Sequence, residues 1–444
     1  MSAPERPEAR PAAGPAPLPP PPPPPAPRGD RPAGANLRLA LLLAAFVALG
    51  VLGSLSAVVV VLCLVVIVFL HELGHYVTAK WAGMKVTEFF IGFGPRIWSF
   101  RRGETEYGLK AIPAGAYVRV IGMTNLEEVP PEDEPRTYRQ APYWRRMSVA
   151  VAGSAMHFLL ALVLLFVILA GYGVAKADHW RVGGLSALGS GESPAQQAGL
   201  ELGDRIVAID GVDVAEWNDL VAYVRSHPGA DVTLTIERDG RTVTAATTLA
   251  PRNPDGEPVG FLGISPTYPR VKASAGEAFT GSFREFGEAT KLTFQGLSAL
   301  FSPSGLSDYA DRVLGRTPGG VDVSGGGSGG GGTSRDDNRP VSAVGAVRIA
   351  SQAADAGIAE LLSFLVIFNV FVGVFNLVPL LPLDGGHVAV ATYERIRSRR
   401  GRRHFVDVNK LLPLTYGVIA VLAVLFLSSL YLDISDPIEN PFNP

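Results

Sequence analysis

The longest uncharged stretch of the sequence, residues 39–70, restricts the chain to a small set of folds. It holds 32 consecutive residues without a charged side chain. As one helix it would be roughly 48 Å long, whereas the hydrocarbon core of a bilayer is about 30 Å thick. Gly50, Gly53 and Ser54 offer a break. Residues 39–53 are therefore either a short extra helix or an interfacial extension, and the first full span covers residues 56–79.

Three further apolar blocks have the length of a membrane span: residues 147–174, 359–380 and 412–432. The composition, with 47% hydrophobic and 18% charged residues, also differs from that of an ordinary soluble domain. The sequence thus predicts a polytopic α-helical membrane protein with four core transmembrane helices. Whether residues 39–53 add a short N-terminal helix to these four is left open. The lipid bilayer is its first predicted partner.

Basic residues mark two of the connecting segments as cytoplasmic by the positive-inside rule, which leaves residues 175–358 outside. The net charge of −2 and the position of the arginine run between two spans favour this interpretation over nucleic-acid contact, and no nucleic-acid partner is expected. The first segment carries Lys80, Lys85, Arg96, Arg101, Arg102, Lys110, Arg119, Arg136, Arg139, Arg145 and Arg146, and the second carries Arg395, Arg397, Arg399, Arg400, Arg402, Arg403 and Lys410.

The outer segment begins with a pattern that resembles a PDZ domain of the bacterial type, over residues 175–270. SPAQQAGLELGDRIVAIDGVDV is followed by a helical stretch at 219–227 and by alternating residues at 231–249 around the hairpin signal Asp239-Gly240. The resemblance implies an inserted extracytoplasmic small β-barrel with helices, whose groove takes peptide or substrate ends by strand addition. A PDZ-shaped spacer that binds nothing is the alternative.

The other segments complete the predicted domain organisation. Residues 1–36 form a Pro-rich disordered tail, 37–80 the first transmembrane region, and 81–146 a cytoplasmic membrane-associated β-loop region. Residues 271–358 form a linker and amphipathic segment that includes the Gly-rich stretch 318–333, and 359–444 hold the last two spans. The single cysteine, Cys63, excludes a disulfide or a cysteine metal cluster within one chain.

The sequence His71-Glu72-Leu73-Gly74-His75 places an HExxH motif at the end of the first span. The i, i+4 spacing puts both imidazoles on one helical face, where they can ligate zinc, and Glu72 can take a proton from water. The alternative is a pair of surface histidines. Ionisable groups beside a run of Val, Leu, Ile and Phe are costly in a bilayer, which favours a functional site.

A third protein ligand is needed, because catalytic zinc usually has three protein ligands and water. Asp384 lies in the run NLVPLLPLDGG (residues 376–386), where prolines and glycines break the helix at the end of the third span. Irregular backbone at membrane depth is tolerated mainly where it lines a cavity. His387 is the competing donor, and it is assigned a role outside the ligand set because it begins the following helix.

These motifs together resemble the site-2 protease family of intramembrane metalloproteases, over roughly residues 56–435. HELGH, the stretch 89–123, AGSAMHF in the second span, one PDZ domain and NLVPLLPLDGG follow the family order. The resemblance implies a zinc metalloendopeptidase that uses one Zn²⁺ to cleave single-span membrane proteins in regulated intramembrane proteolysis, for example anti-sigma factors or leftover signal peptides. It implies His71, His75 and Asp384 as ligands, Glu72 as the base and Asn376 as a substrate-holding residue.

Two positions depart from the family pattern. In the second span the usual proline and asparagine are Ser154 and His157, and the usual glycine pair after AIPxG is Gly115-Ala116. Gly115 and His157 are nevertheless predicted to contact substrate, and His157 can still donate a hydrogen bond. Residues 107–122 alternate like a strand that could pair with an unwound substrate.

Two other functions are weighed against this interpretation. A non-proteolytic PDZ scaffold has no need of a complete HExxH motif with Asp384. A zinc peptidase whose third ligand is a glutamate after HExxH would have to use Glu88, which is too near the motif and lies in a strand-like sequence.

Overall fold

The computed structural model describes residues 34–124, 127–175, 179–186, 191–252, 258–314, 316, 340–398 and 404–435. The predicted Pro-rich tail as far as residue 33 and the Gly-rich stretch 318–333 lie outside these residues. The same holds for four residues of the basic run between the last two spans, Arg399, Arg400, Arg402 and Arg403.

Within the described residues, five helices are long and apolar enough to cross a membrane. They are α1 with the turn that continues it, α2, α3, α9 and α11. The last four lie at the four predicted spans, but α3 ends three residues before the end of 147–174 and α9 ends four residues before the end of 359–380. The helices are α1 (Ala35–Ala48), α2 (Leu55–Trp81), α3 (Tyr143–Gly171), α4 (Pro194–Gln197), α5 (Trp217–Ser226), α6 (Ala275–Leu300), α7 (Pro303–Val313), α8 (Ala343–Ala356), α9 (Ile358–Asn376), α10 (Asp384–Arg397) and α11 (Leu412–Ser435).

The break in the first apolar stretch lies where Gly and Ser predict it. A π-helical turn, Leu49–Gly53, ends α1, and Ser54 is extended with φ −151° and ψ 160°. The Ser54 hydroxyl accepts a hydrogen bond from the Ala57 N–H at 3.0 Å and caps α2. Residues 39–53 therefore belong to a separate helix, which begins at Ala35.

A long β-hairpin follows α2. Strands β1 (Val86–Arg102) and β2 (Thr105–Val120) pair antiparallel with several register shifts, so that Phe89 lies opposite both Val118 and Tyr107. Among the described residues, the segment of β2 from Ala116 to Val120 pairs with β1 along one edge, and its other edge has no strand partner. The hairpin packs against α2, the helix that carries HExxH.

Between α3 and α6 lies a β-rich region with its own core. Its strands are β3 (Val174–Ala175), β4 (Arg181–Leu185), β5 (Arg205–Ile209), β6 (Val212–Asp213), β7 (Asp231–Arg238), β8 (Arg241–Thr248), β9 (Ala250–Arg252), β10 (Val259–Phe261), β11 (Ile264–Thr267) and β12 (Arg270–Val271). Four strands form a sheet in the order β6-β5-β7-β8, while β3 pairs with β12 where the chain enters and leaves.

The core of this β-rich region is formed by the apolar residues of the alternating sequence. Trp180, Ile206, Leu220 and Leu234 are fully buried and pack together. Asp239 and Gly240 have positive φ values of 50° and 74°, which is the two-residue turn geometry that their hairpin signal predicts.

Three helices are found among the described residues between the β-rich region and α9. The 26-residue helix α6 packs against α3 and α9, and α8 packs against α2 and α9. The sequence predicted only a linker and an amphipathic segment here, because α6 mixes apolar and charged residues and has no uncharged block. Its N-terminus is nonetheless marked by a capping box, in which Ser274 and Glu277 bind each other's backbone N–H groups.

Candidate metal centre

The last turns of α2 bring the two histidines of the HExxH motif together. His71 and His75 are one helical turn apart, and their Nε2 atoms are separated by 3.2 Å. His71 is buried, and His75 is half-buried. The helical spacing read from the sequence therefore produces a pair of adjacent imidazole nitrogens on one face of α2.

Asp384 reaches these histidines from the start of α10. Its Oδ2 atom lies 3.5 Å from His71 Nε2 and 3.3 Å from His75 Nε2. The turn before Asp384 is tight because Gly385 and Gly386 pack on its backbone. A Cβ on Gly386 would lie 2.5 Å from the Leu381 nitrogen, and one on Gly385 would overlap the Leu377 carbonyl.

The three side chains fit a zinc ion by geometry and by chemistry. Ligand atoms about 2.0–2.1 Å from a tetrahedral zinc lie about 3.3 Å from one another. The observed separations of 3.2, 3.3 and 3.5 Å match this value. Among the described residues, the buried Oδ2 of Asp384 has no donor in hydrogen-bonding geometry, as expected for an atom that is free to bind a metal.

Helix α3 holds the histidines in place from the other side. The Nδ1 of His75 lies 2.8 Å from the Val149 carbonyl, and Nδ1–H donation there leaves Nε2 free as a ligand. Gly153, one turn further along α3, faces both imidazoles. A Cβ at this position would lie 2.5 Å from His75 Nε2 and would overlap the His71 ring. A residue without a side chain is therefore required here.

Glu72 lies beside the ligand group but does not belong to it. The carboxylate is half-buried and interacts with the backbone N–H of Val118 in β2. Val118 belongs to the end of β2 that pairs with β1 on one side only. The outer edge of the hairpin therefore runs past the carboxylate that follows His71.

His157 forms a polar pair with a residue of α9. Its Nδ1 lies 2.9 Å from Oδ1 of Asn369, both residues are buried, and its ring centroid is 5.0 Å from that of His71. Asn369 was not singled out from the sequence. The available signal was an amide side chain in the middle of the apolar block 359–380.

Comparison with known proteins places the chain in a family. The model of peptidase family M50 matches residues 59–311 and 332–422, which is most of the chain and includes all three residues of the ligand group. The chain belongs to peptidase family M50. The resemblance to site-2 proteases read from the motifs is thereby confirmed.

Relatives of this M50 peptidase match over most of their length. Zinc metalloprotease Rip1 of Mycolicibacterium smegmatis is 34% identical over 420 residues, covering 87% of this chain and 98% of the relative. Rip1 of Mycobacterium tuberculosis strain H37Rv is 34% identical over 411 residues, covering 85% and 96%. A protein described as a putative zinc metalloprotease from Rhizobium meliloti is 30% identical over 357 residues, covering 76% and 86%.

The other residues singled out from the sequence lie at separate places in the M50 peptidase. Asn376 is the last residue of α9, and Gly115 lies in β2 at φ 144°, against the Phe93 ring. His387 is in the first turn of α10, which begins three residues earlier than predicted, and its ring faces Tyr138 at 6.1 Å. Glu88 accepts a hydrogen bond from Tyr117 within the hairpin.

Proposed function

We propose that this M50 peptidase is an intramembrane zinc metalloendopeptidase that cleaves single-span membrane proteins within or next to their transmembrane segments. The observation that carries the proposal is the group formed by His71 and His75 on α2, a helix apolar enough to cross a membrane, and by Asp384 at the start of α10. The relatives are named as zinc metalloproteases, which agrees with the proposal. Regulated intramembrane proteolysis, with substrates such as anti-sigma factors or leftover signal peptides, is the proposed context.

Zinc would be held by the Nε2 atoms of His71 and His75 and by the carboxylate of Asp384. When bound, zinc supplies a Lewis acid that polarises the scissile carbonyl and makes water more acidic. The Val149 carbonyl keeps His75 in the tautomer that presents Nε2, and Gly153 leaves room for both rings. These contacts pre-form the donor set before any metal arrives.

Glu72 is the proposed base. As the neighbour of His71 it lies next to the ligand group, and its carboxylate can take a proton from the attacking water and pass it to the leaving amine. The Val118 N–H orients this carboxylate. A glutamine at this position keeps the shape and the hydrogen-bonding capacity of the side chain but cannot act as a base.

The substrate is proposed to bind as an extended strand along β2. A helix hides its carbonyl groups in internal hydrogen bonds, so the substrate must unwind before hydrolysis. The outer edge of Ala116–Val120 offers backbone groups for strand addition beside Glu72. Gly115, Asn376 and His157 are the further proposed substrate contacts.

The β-rich region at residues 175–270 is proposed to be a PDZ domain on the outer side of the membrane. The basic residues of the β1–β2 segment and of the α10–α11 segment support a cytoplasmic position for both, with the metal centre near that side. The PDZ groove would then bind substrate ends and restrict access to substrates whose outer domain has already been shortened.

The decisive experiment is cleavage by the purified full-length protein in detergent. Candidate single-span proteins with trimmed outer domains are incubated with and without chelator, and with zinc restored after chelation. We expect cleavage that chelator abolishes and zinc restores, and no cleavage by Glu72→Gln. Cleavage that survives complete zinc removal, or that persists in Glu72→Gln, contradicts the proposal.

A further inference from the structure

A buried ion pair joins α3 to α10 at a distance from the metal centre. Arg146 Nη1 lies 2.5 Å from Glu394 Oε2, and the two residues are only 9% and 6% exposed. Arg146 lies in the first turn of α3, and Glu394 lies in the last turn of α10. The pair thus connects the beginning of one helix to the end of the other.

Neighbouring groups fix both partners of this pair. The Arg146 guanidinium lies over the Tyr138 ring at 5.1 Å, and the Tyr138 hydroxyl donates to the Arg146 carbonyl at 3.3 Å. The other carboxylate oxygen of Glu394 accepts the Val406 N–H at 2.8 Å. Each side chain is therefore held by contacts in addition to the ion pair, and neither is free to adopt another rotamer without losing them.

The same two helices carry parts of the candidate metal centre, at the opposite end of α10 and one to two turns further along α3. On α3, Val149 and Gly153 contact the histidines, and Gly153 lies about 10 Å along the axis from Arg146 at a rise of about 1.5 Å per residue. On α10, Asp384 precedes Glu394 by about 15 Å on the same basis. Two separated contacts between two rigid helices prevent one helix from sliding along the other and from rotating relative to it.

We propose that Arg146 and Glu394 form a positioning pair that sets the distance between the Asp384 carboxylate and the two histidines. The inference deepens the proposed function, on which it rests, because it takes Asp384 as a zinc ligand. Without the pair, α10 can slide or rotate along α3. A displacement of a few tenths of an ångström then exceeds the narrow tolerance of a zinc–oxygen bond.

Stability alone is a weak explanation for such a pair. Burying two charges costs desolvation energy, and apolar replacements of similar volume are often neutral or stabilising. Removing one partner is different, because the remaining buried charge is left uncompensated. A test must therefore separate loss of fold from loss of geometry, and this calls for a metal-binding measurement beside a stability measurement.

The experiment uses the full-length protein in detergent and measures zinc affinity by chelator competition together with the thermal midpoint. We expect Glu394→Gln to lower zinc affinity about 10–100-fold, the range seen for groups that orient metal ligands. The matched control is Asp204→Asn in the β-rich region. Asp204 is 1% exposed and pairs with Arg238 at 2.7 Å, so its loss should lower the midpoint and leave zinc affinity unchanged.

A double variant keeps the test decisive if Glu394→Gln does not fold. Arg146→Met with Glu394→Met removes both charges, so the midpoint should stay near that of the wild type while zinc affinity remains reduced. Wild-type zinc affinity in whichever of these variants folds overturns the positioning role. The zinc affinity of Asp384→Ala is measured in parallel. If it equals that of the wild type, Asp384 is not a ligand and the proposed site itself is wrong. If it is reduced in Asp384→Ala but unchanged in the Glu394 variants, only the positioning role of the pair is refuted.

Discussion

The Nδ1 atom of His157 lies 2.9 Å from the Oδ1 atom of Asn369 and links α3 to α9 beside the candidate metal centre. The Nδ2 of Asn369 donates to the Leu365 carbonyl at 2.7 Å, so its oxygen faces the imidazole and His157 Nδ1 is the donor. The hydrogen bond predicted for His157 is therefore made to α9. A neutral His157 has only Nε2 left, as an acceptor, for any contact with substrate.

We predict that His157→Ala lowers turnover about fivefold, for the loss of about 1 kcal/mol of hydrogen bonding, without loss of zinc. Asn369→Ala should have a similar effect, and the double variant should be no worse than either single one if the two side chains act as a unit. Turnover and zinc per chain are measured for all three. Loss of zinc in His157→Ala would instead make His157 a ligand.

The second prediction concerns the choice between Asp384 and His387. Asp384→Ala should lose zinc and activity together, because its Oδ2 completes the group with the two histidines. His387→Ala should keep most of its zinc, because its ring packs against Tyr138. Zinc per chain and cleavage rate are measured for both. Full zinc in Asp384→Ala with loss in His387→Ala would reverse the assignment.

Gly153→Ala should disrupt the metal centre through one added methyl group. That methyl overlaps the His71 ring and comes within 2.5 Å of His75 Nε2. We expect weakened zinc binding and a destabilisation of about 1–3 kcal/mol, as for other overpacked sites. Gly171→Ala is the control in the same helix, since a Cβ there meets no atom within 4 Å. Equal zinc affinity in the two variants would contradict this prediction.

Removal of the β-rich region should relax substrate selection and leave the chemistry intact. Strands β3 and β12 pair at its base, so deleting residues 176–269 joins two chain ends that already lie side by side. We expect cleavage of pre-trimmed substrate to persist and rejection of untrimmed substrate to weaken. Both substrates are compared in one detergent assay. If a folded deletion variant cleaves neither, the region does more than restrict access.

A pH effect is expected from the ion pairs of Glu104, which lies in the turn between β1 and β2. Hydrogen bonds from Arg136 hold the pKa of Glu104 at about 2, below its ordinary 4.5, and Lys80 also pairs with it. A lowered carboxylate pKa stabilises the fold above pH 4.5, and that contribution is lost as the pH falls through about 2. Glu104 is 26% exposed, so solvent limits the contribution to at most about 1 kcal/mol.

Glu104→Gln therefore should have a lower thermal midpoint than the wild type at pH 6. The difference should narrow as the pH falls from 4.5 towards 2, where the wild-type carboxylate becomes protonated. Thermal midpoints of both proteins across this range provide the measurement. A constant difference, or one that grows at low pH, would show that Glu104 acts by some means other than its charge.

The parts of the fold that the sequence predicted are those with strong local patterns. Apolar blocks marked α2, α3, α9 and α11, and the Asp239-Gly240 signal marked the β7–β8 hairpin. The HExxH spacing predicted the paired imidazoles, because helical geometry alone determines their proximity. Each of these inferences depends on residues that are close together in the chain.

Contacts between distant segments were harder to predict. The importance of Gly153 depends on where α2 crosses α3, and the partners of Arg146 and His157 come from α10 and α9. A single sequence does not show which residues of two distant helices lie opposite each other. Helix α6 was not predicted for another reason: its apolar residues lie on one face of the helix and alternate with charged ones, so no long uncharged run identifies it.

The residues of the metal centre are supplied by widely separated parts of the chain. Asp384 follows His75 by more than three hundred residues, and four of the described helices that are long enough to cross a membrane precede it: α1 with its continuing turn, α2, α3 and α9. With the proposed ligands, a ribosome-bound chain carries an incomplete site until residue 384 has been made. The nascent chain therefore lacks a complete metal site through most of its synthesis and cannot cleave other membrane proteins near the site of insertion during that time.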